Sequence, residues 1–149
     1  MFSIFEKHPE IIAVVSTKED GAMKFSGDLL CDSDVRKNRE KFLENSGVKE
    51  GLTVAADLVH GNNIKIVSIK EGGKTIEKTD GLITADKNLF LTITVADCLP
   101  IFIFDWKKEI VGLIHAGWRG LAKNILASAV KKMAEEFGSS PENILAEIG

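Results

Sequence analysis

The sequence reads as one domain of mixed α and β structure. Strand-like and helix-like segments alternate along it, without low-complexity tracts or internal repeats. Its short β-branched and apolar runs have the length of strands, while one long segment near the end repeats apolar residues every four positions. The 149 residues suffice for a single domain with a real core.

The elements follow in order. IIAVVST (11–17) is a β-branched run and predicts a strand. KEDGAMKFSG (18–27) is rich in turn residues. DSDVRKNREKFLENSG (32–47) predicts a helix, with Ser33 or Asp34 as its cap, Val35, Phe42 and Leu43 on one face, and Gly47 past its end. LTVAADLVHG (52–61) predicts a strand that ends at His60 and Gly61. NIKIVSIKEGGKTIE (63–77) alternates around Gly72 and Gly73, the pattern of a hairpin. NLFLTITV (88–95) suits a buried strand.

Residues 101–104 and 110–114 then form a second predicted hairpin, with DWKKE (105–109) as its turn. After it, Leu121, Ile125, Ala129, Met133 and Phe137 share one face of a helix that Gly138 stops. Ser140 before Pro141 is a helix-start signal, and Ser139 with Glu142 has the spacing of a capping box. ILAEIG (144–149) predicts a last strand. The pattern stops in mid-course, so the expectation is a domain short of its C-terminal part.

Composition excludes several classes. Apolar content is 44%, charged content 28% and net charge −3, which fits an ordinary globular protein and gives no basic patch for nucleic acid or anionic lipid. No apolar run approaches the roughly 20 residues of a membrane span. The start, MFSIFEKHPE, lacks the layout of a secretory signal. Two cysteines do not make a disulfide framework, so both are expected as thiols in a cytoplasmic protein. Cys31 is expected to be structural or incidental, His8 and the Lys131–Lys132 pair solvated, and Trp106 a partly exposed packing residue of the turn.

Chemistry concentrates in VADCLPIFIFDWKKEIVGLIHAGWRG (95–120). Folding this stretch as a hairpin brings Cys98 and His115 together at its open end. Gly117 and Gly120 permit tight backbone there, and the following helix start with Arg119 suits an anion. Asp97 adds a carboxylate beside the thiol, and Trp118 an aromatic that can stack on a base or on its neighbours. His60 also ends an apolar run and precedes a glycine. His60, Cys98 and His115 together make an N/S/N set, and three protein ligands with an open fourth position is the pattern of a catalytic zinc site. Against this stands the plain reading of Cys98 as a small buried hydrophobe and of each histidine as a structural hydrogen-bonder.

The strings VHG (59–61), ADCLPI (96–101) and HAGWRG (115–120), in that order, closely resemble the bacterial YfiH-like family, known also as laccase domain protein, multicopper polyphenol oxidase, purine nucleoside phosphorylase and peptidoglycan editing factor. STKEDG (16–21), the Asn38–Arg39 pair and TDGLIT (79–84) resemble further family motifs. Departures are Lys18 for arginine, Leu58 for glutamine and Asp20 for glycine. The resemblance implies an α+β fold with two mixed sheets packed between helices in four layers. It implies metal ligands at His60, Cys98 and His115, the same three that spacing selects, and substrate contacts at Lys18, Asn38, Arg39, Asp80, Thr84 and Trp118.

It also implies purine nucleoside chemistry: phosphorolysis of adenosine, inosine and methylthioadenosine, and deamination of adenosine. Nucleoside and phosphate would be the partners, zinc ahead of copper the cofactor, and Asp97 or Asp80 the proton carrier. Arg119 would hold phosphate. Three histidines are too few for a multicopper site. A cysteine-dependent amidase on cell-wall precursors, a mononuclear copper oxidase and a catalytically inactive zinc-binding fragment remain open, as does the oligomeric state.

Overall fold

A computed structural model of the chain describes residues 5–26, 29–48 and 52–149, with side chains from residue 32 onward in the first helix. The elements are α1 (Leu29–Asn45), β1 (Thr53–Ala56), β2 (Ile64–Ile66), β3 (Thr75–Ile76), β4 (Gly81–Thr84), β5 (Phe90–Thr92), β6 (Leu99–Asp105), β7 (Ile110–Ala116), α2 (Trp118–Ala122), α3 (Ile125–Phe137) and β8 (Ile144–Ile148). They make an α+β fold with two sheets. Five strands run in the order β2-β4-β7-β6-β8, and three in the order β3-β1-β5. The larger sheet is mixed; the pairings β1–β3 and β1–β5 of the smaller one are both parallel.

Alternation along β4 explains the layering. Ile83 points into a cluster with Ile101, Ile103, Ile114, Ile125, Ala129 and Met133, between the large sheet and α3. Leu82, one residue earlier, joins Val54, Val67 and Leu89 under the small sheet. Each fully buried side chain of this size contributes roughly 1.5–3 kcal/mol relative to an exposed one.

The 101–114 hairpin is present and longer than the apolar runs alone indicate. β6 and β7 pair antiparallel from Leu99 opposite Ala116, through Pro100 opposite His115, to Asp105 opposite Ile110. Asp105 shapes the turn, its Oδ1 accepting from the N–H groups of Lys107 at 3.0 Å and Lys108 at 3.1 Å. Pro100 sits at the strand's beginning, where a missing donor is tolerated. The last predicted strand is also found, as β8, antiparallel to β6.

Other expectations fail for physical reasons. Residues 11–17 form no strand; Ile12, Val14 and Val15 are each more than 40% exposed, and β-branched propensity without a neighbouring ladder does not make a strand. The predicted hairpin at Gly72 and Gly73 is instead a crossover: β2 pairs with β4 and β3 with β1, in different sheets. Between them Ser68 and Glu71 close a capping box on a 3₁₀ turn, Ile69–Glu71. The 52–61 and 88–95 strands shorten to β1 and β5. Helix α1 starts before Ser33 and Asp34, which are therefore interior residues and not caps. Its C-terminal stop is as expected, with Val48 N–H donating to Leu43 O at 2.8 Å across Gly47. The long second helix is broken at Asn124, whose φ is 57°, into α2 and α3. Ser139 and Glu142 form no capping box; Ser140 caps a 3₁₀ turn by backbone geometry and Ser139 Oγ is buried without a partner. The side chain of Cys31 lies outside the described residues. Among the described residues no helix is long and apolar enough to cross a membrane.

Candidate metal centre

Three chain segments meet at the open end of the hairpin. β7 delivers His115, 2% exposed. The bend before β6 delivers Cys98, a half-buried free thiol. The loop after β1 delivers His60, exposed and in the left-handed region with φ 58°. One ligand atom from each lies within 4.8 Å of the others. The two imidazoles stand edge to face, centroids 4.8 Å apart and planes at 88°.

Asp80 organises this meeting. It is fully buried just before β4. Its Oδ1 accepts from His60 N–H at 2.7 Å and Val59 N–H at 3.2 Å, and its Oδ2 from Gly61 N–H at 2.8 Å. His115 Nδ1 lies 3.1 Å from Oδ1, and His115 N–H donates to the Asp80 carbonyl at 2.8 Å. A carboxylate only accepts, so Nδ1 carries the hydrogen and Nε2 keeps its lone pair for a ligand. A histidine held this way by a carboxylate is the usual companion of a bound metal.

Glycines bring the backbone close. A Cβ on Gly117 would stand 3.1 Å from Cys98 Sγ and 3.6 Å from ring carbons of both His115 and His60. A Cβ on Gly120 would stand 2.7 Å from the carbonyl oxygen of Gly61. The two glycines of HAGWRG thus let α2 lie against the thiol and against the His60 loop.

The other expected residues divide. Asp97 is exposed immediately before Cys98. Trp118 and Arg119 open α2 beside Gly117; Trp118 is 71% exposed, and the Arg119 guanidinium lies 4.7 Å from its ring centroid. Helix α2 has only five residues, so the expected anion site at a helix start reduces to the Arg119 side chain. Asp80 does not face a substrate, because it is fully buried with both oxygens engaged. Thr84 is also fully buried, at the other end of β4, where its hydroxyl accepts from Asp86 N–H at 3.1 Å. Lys18 lies on an exposed 3₁₀ turn. Asn38 and Arg39 of α1 donate to the carbonyls of Ala22 and Met23, at 3.1 and 3.2 Å, and so hold the 21–25 loop to the helix. The reading from sequence missed Asp80 as the organiser; a lone acid between turn residues and a buried strand was its one signal. His8, the third histidine, bonds Glu10 at 3.0 Å and rests edge-on against Phe104.

Comparison with known proteins agrees with the fold. The family model described as multi-copper polyphenol oxidoreductase laccase matches residues 26–149. Purine nucleoside phosphorylase YlmD of Bacillus subtilis is 35% identical, over 97% of this chain and 57% of its own length. A purine nucleoside phosphorylase of Bacteroides thetaiotaomicron is 32% identical, over 84% of this chain and 48% of its own. Among solved structures, the hypothetical protein YfiH of Bacillus licheniformis superposes with a TM-score of 0.77 at 34% identity, over 79% of this chain and 47% of that one. YlmD from Geobacillus stearothermophilus gives 0.76 at 31% identity, over 78% and 46%. The chain spans about half the length of the relatives it matches.

Proposed function

The chain belongs to the multi-copper polyphenol oxidoreductase laccase family, and from there we propose that it is a zinc-dependent purine nucleoside enzyme, acting by phosphorolysis of adenosine, inosine and methylthioadenosine and by deamination of adenosine. The observation that carries this reading is the convergence of His60, Cys98 and His115 on one point with an exposed side, in a chain whose relatives are named purine nucleoside phosphorylases. The donor set fits the group. Two imidazoles and one thiolate are zinc ligands, and one imidazole is already fixed through its far nitrogen. Zinc, when bound, supplies Lewis-acid chemistry and lowers the pKa of water.

The remaining work falls to side chains around the opening. Trp118 offers a face on which a purine stacks. Arg119 offers paired donors to a phosphate. In phosphorolysis a phosphate oxygen bonds to the anomeric carbon, the glycosidic bond breaks, and the purine leaves with the bonding pair and takes up a proton. Asp97, exposed and next to Cys98 in sequence, is the carboxyl we assign to that proton.

A second reading has its own support. Asp80, His115 and Cys98 follow one another as acid, imidazole and thiol, the order of a cysteine hydrolase. Alkylation separates the two: loss of amidase activity without release of metal assigns Cys98 as nucleophile. A copper cluster has less support, because this chain's third histidine is engaged with Glu10 and Phe104.

The test is incubation of the chain with adenosine, with and without phosphate, followed by chromatography, with Cys98→Ala as control. Phosphate-dependent adenine, absent with the variant, is the expected result. Inosine formed without phosphate would assign deamination. No product in either arm overturns the nucleoside reading for this chain.

A further inference from the structure

We infer that Asp80 is a positioning residue that presets both histidines of the centre before any metal arrives, an inference that rests on the metal reading above. One carboxylate binds two ligand segments that are 55 residues apart in sequence, His60 and His115. On one side it holds backbone: three consecutive N–H groups, Val59 to Gly61, converge on it. That convergence offsets the cost of the left-handed conformation at His60, a residue with a Cβ. On the other side it holds the His115 ring through Nδ1 and, by its own carbonyl, the His115 backbone. Its placement is fixed in turn, since the N–H groups of Asp80 and Gly81 both donate to Asn63 O, at 2.8 and 3.1 Å.

A buried carboxylate with four donors is more than a generic fold contact. All four belong to the two histidines or to the immediate neighbours of His60. Packing alone would be served by an apolar residue here. The charge is therefore spent on orienting ligands: His115 in the tautomer with Nε2 free, and the His60 loop in the one conformation that turns its ring toward Cys98. A site built this way is ordered without metal, so binding costs little rearrangement.

The experiment compares the chain with Asp80→Asn and uses Zn²⁺ alone as probe. Asparagine keeps one acceptor oxygen but puts an NH₂ where an acceptor is needed. Zn²⁺ affinity, measured by competition with a chelating dye, is expected to fall about 10–100-fold in the folded variant. Thermal melting of the metal-free variant reports the purely structural share separately. Unchanged Zn²⁺ affinity overturns the inference, whatever the change in melting. Nitrogen-15 NMR of the metal-free wild type covers the case in which the variant does not fold. His115 protonated on Nδ1, with the His60 and Gly61 amides protected from exchange, supports the inference; a proton on Nε2 overturns it. The NMR arm decides the role of Asp80 even if the wild type binds no Zn²⁺, an outcome that defeats the metal reading alone.

Discussion

At the scale of single residues, the HAGWRG string resolves into separate jobs. His115 is the ligand candidate, and Gly117 and Gly120 are points of close approach. The backbone of Gly117 is extended, with φ −78° and ψ 163°, so alanine meets no conformational barrier there. Its added Cβ would nevertheless stand 3.1 Å from Cys98 Sγ, and the thiol must yield. Gly117→Ala is therefore expected to melt close to the wild type while binding Zn²⁺ about tenfold or more weakly, the scale seen when a group that orients ligands is disturbed. Gly120→Ala differs in kind. Its Cβ meets a backbone oxygen at 2.7 Å, so the expected loss is in fold stability, about 1–3 kcal/mol, read from urea denaturation. Equal Zn²⁺ titrations for Gly117→Ala and wild type would contradict the close approach. Glycine at these positions was visible in the sequence, but the atom each one makes room for was not, because both partners come from distant segments.

Among elements, the hairpin was legible and the helix after it only half so. Two apolar runs around a short polar turn containing Asp105 can hardly pair otherwise, and β6 and β7 do. The four-residue spacing from Leu121 to Phe137 read as one helix because the spacing continues across Asn124. The left-handed backbone at Asn124 turns the chain there, leaving Leu121 42% exposed while Ile125, Ala129 and Met133 are fully buried. Asparagine tolerates that conformation better than most residues, which makes the break cheap and hard to read. Strand partners were the least legible feature. The β-branched run at 11–17 has strand propensity but pairs with no strand among the described residues, whereas the two-residue β3 pairs because β1 lies alongside. On this account the α3 face carries much of the larger core. Met133→Ala is expected to cost about 2–5 kcal/mol, seen as a lower urea midpoint at unchanged slope. Lys131→Ala, two residues away on the exposed side and paired with Glu135 at 3.5 Å, should stay within about 0.5 kcal/mol.

For the molecule as a whole, two sheets must be held in a fixed relation, because the centre draws on both. His60 follows β1 of the small sheet, and His115 lies near the end of β7 of the large one. Asp80 joins them at the site, and the 66–75 connection joins them away from it, as the chain passes from β2 in one sheet to β3 in the other. That crossover is pinned by Glu71, whose Oε2 accepts from the Ser68 hydroxyl at 2.7 Å and the Ser68 N–H at 2.8 Å, and by Asp86, which accepts from Ile69 N–H at 2.6 Å. The Ser68 hydroxyl and then the Ser68 N–H hold the Glu71 carboxyl below its ordinary value of 4.5. The sign follows from linkage. The folded state favours the ionised form more than the unfolded chain does, so this contribution to stability is fully present above pH 4.5. It is lost as pH falls through the lower folded value. Glu71→Gln removes the titration. The variant should be less stable than wild type at neutral pH, and the gap between them should narrow as pH drops below 4.5. Thermal melts of both proteins from pH 7 to pH 3 read this directly. A gap that stays constant across that range would mean that the carboxylate does not pin the crossover, and that packing of Val67 and Leu82 between the sheets holds it without help.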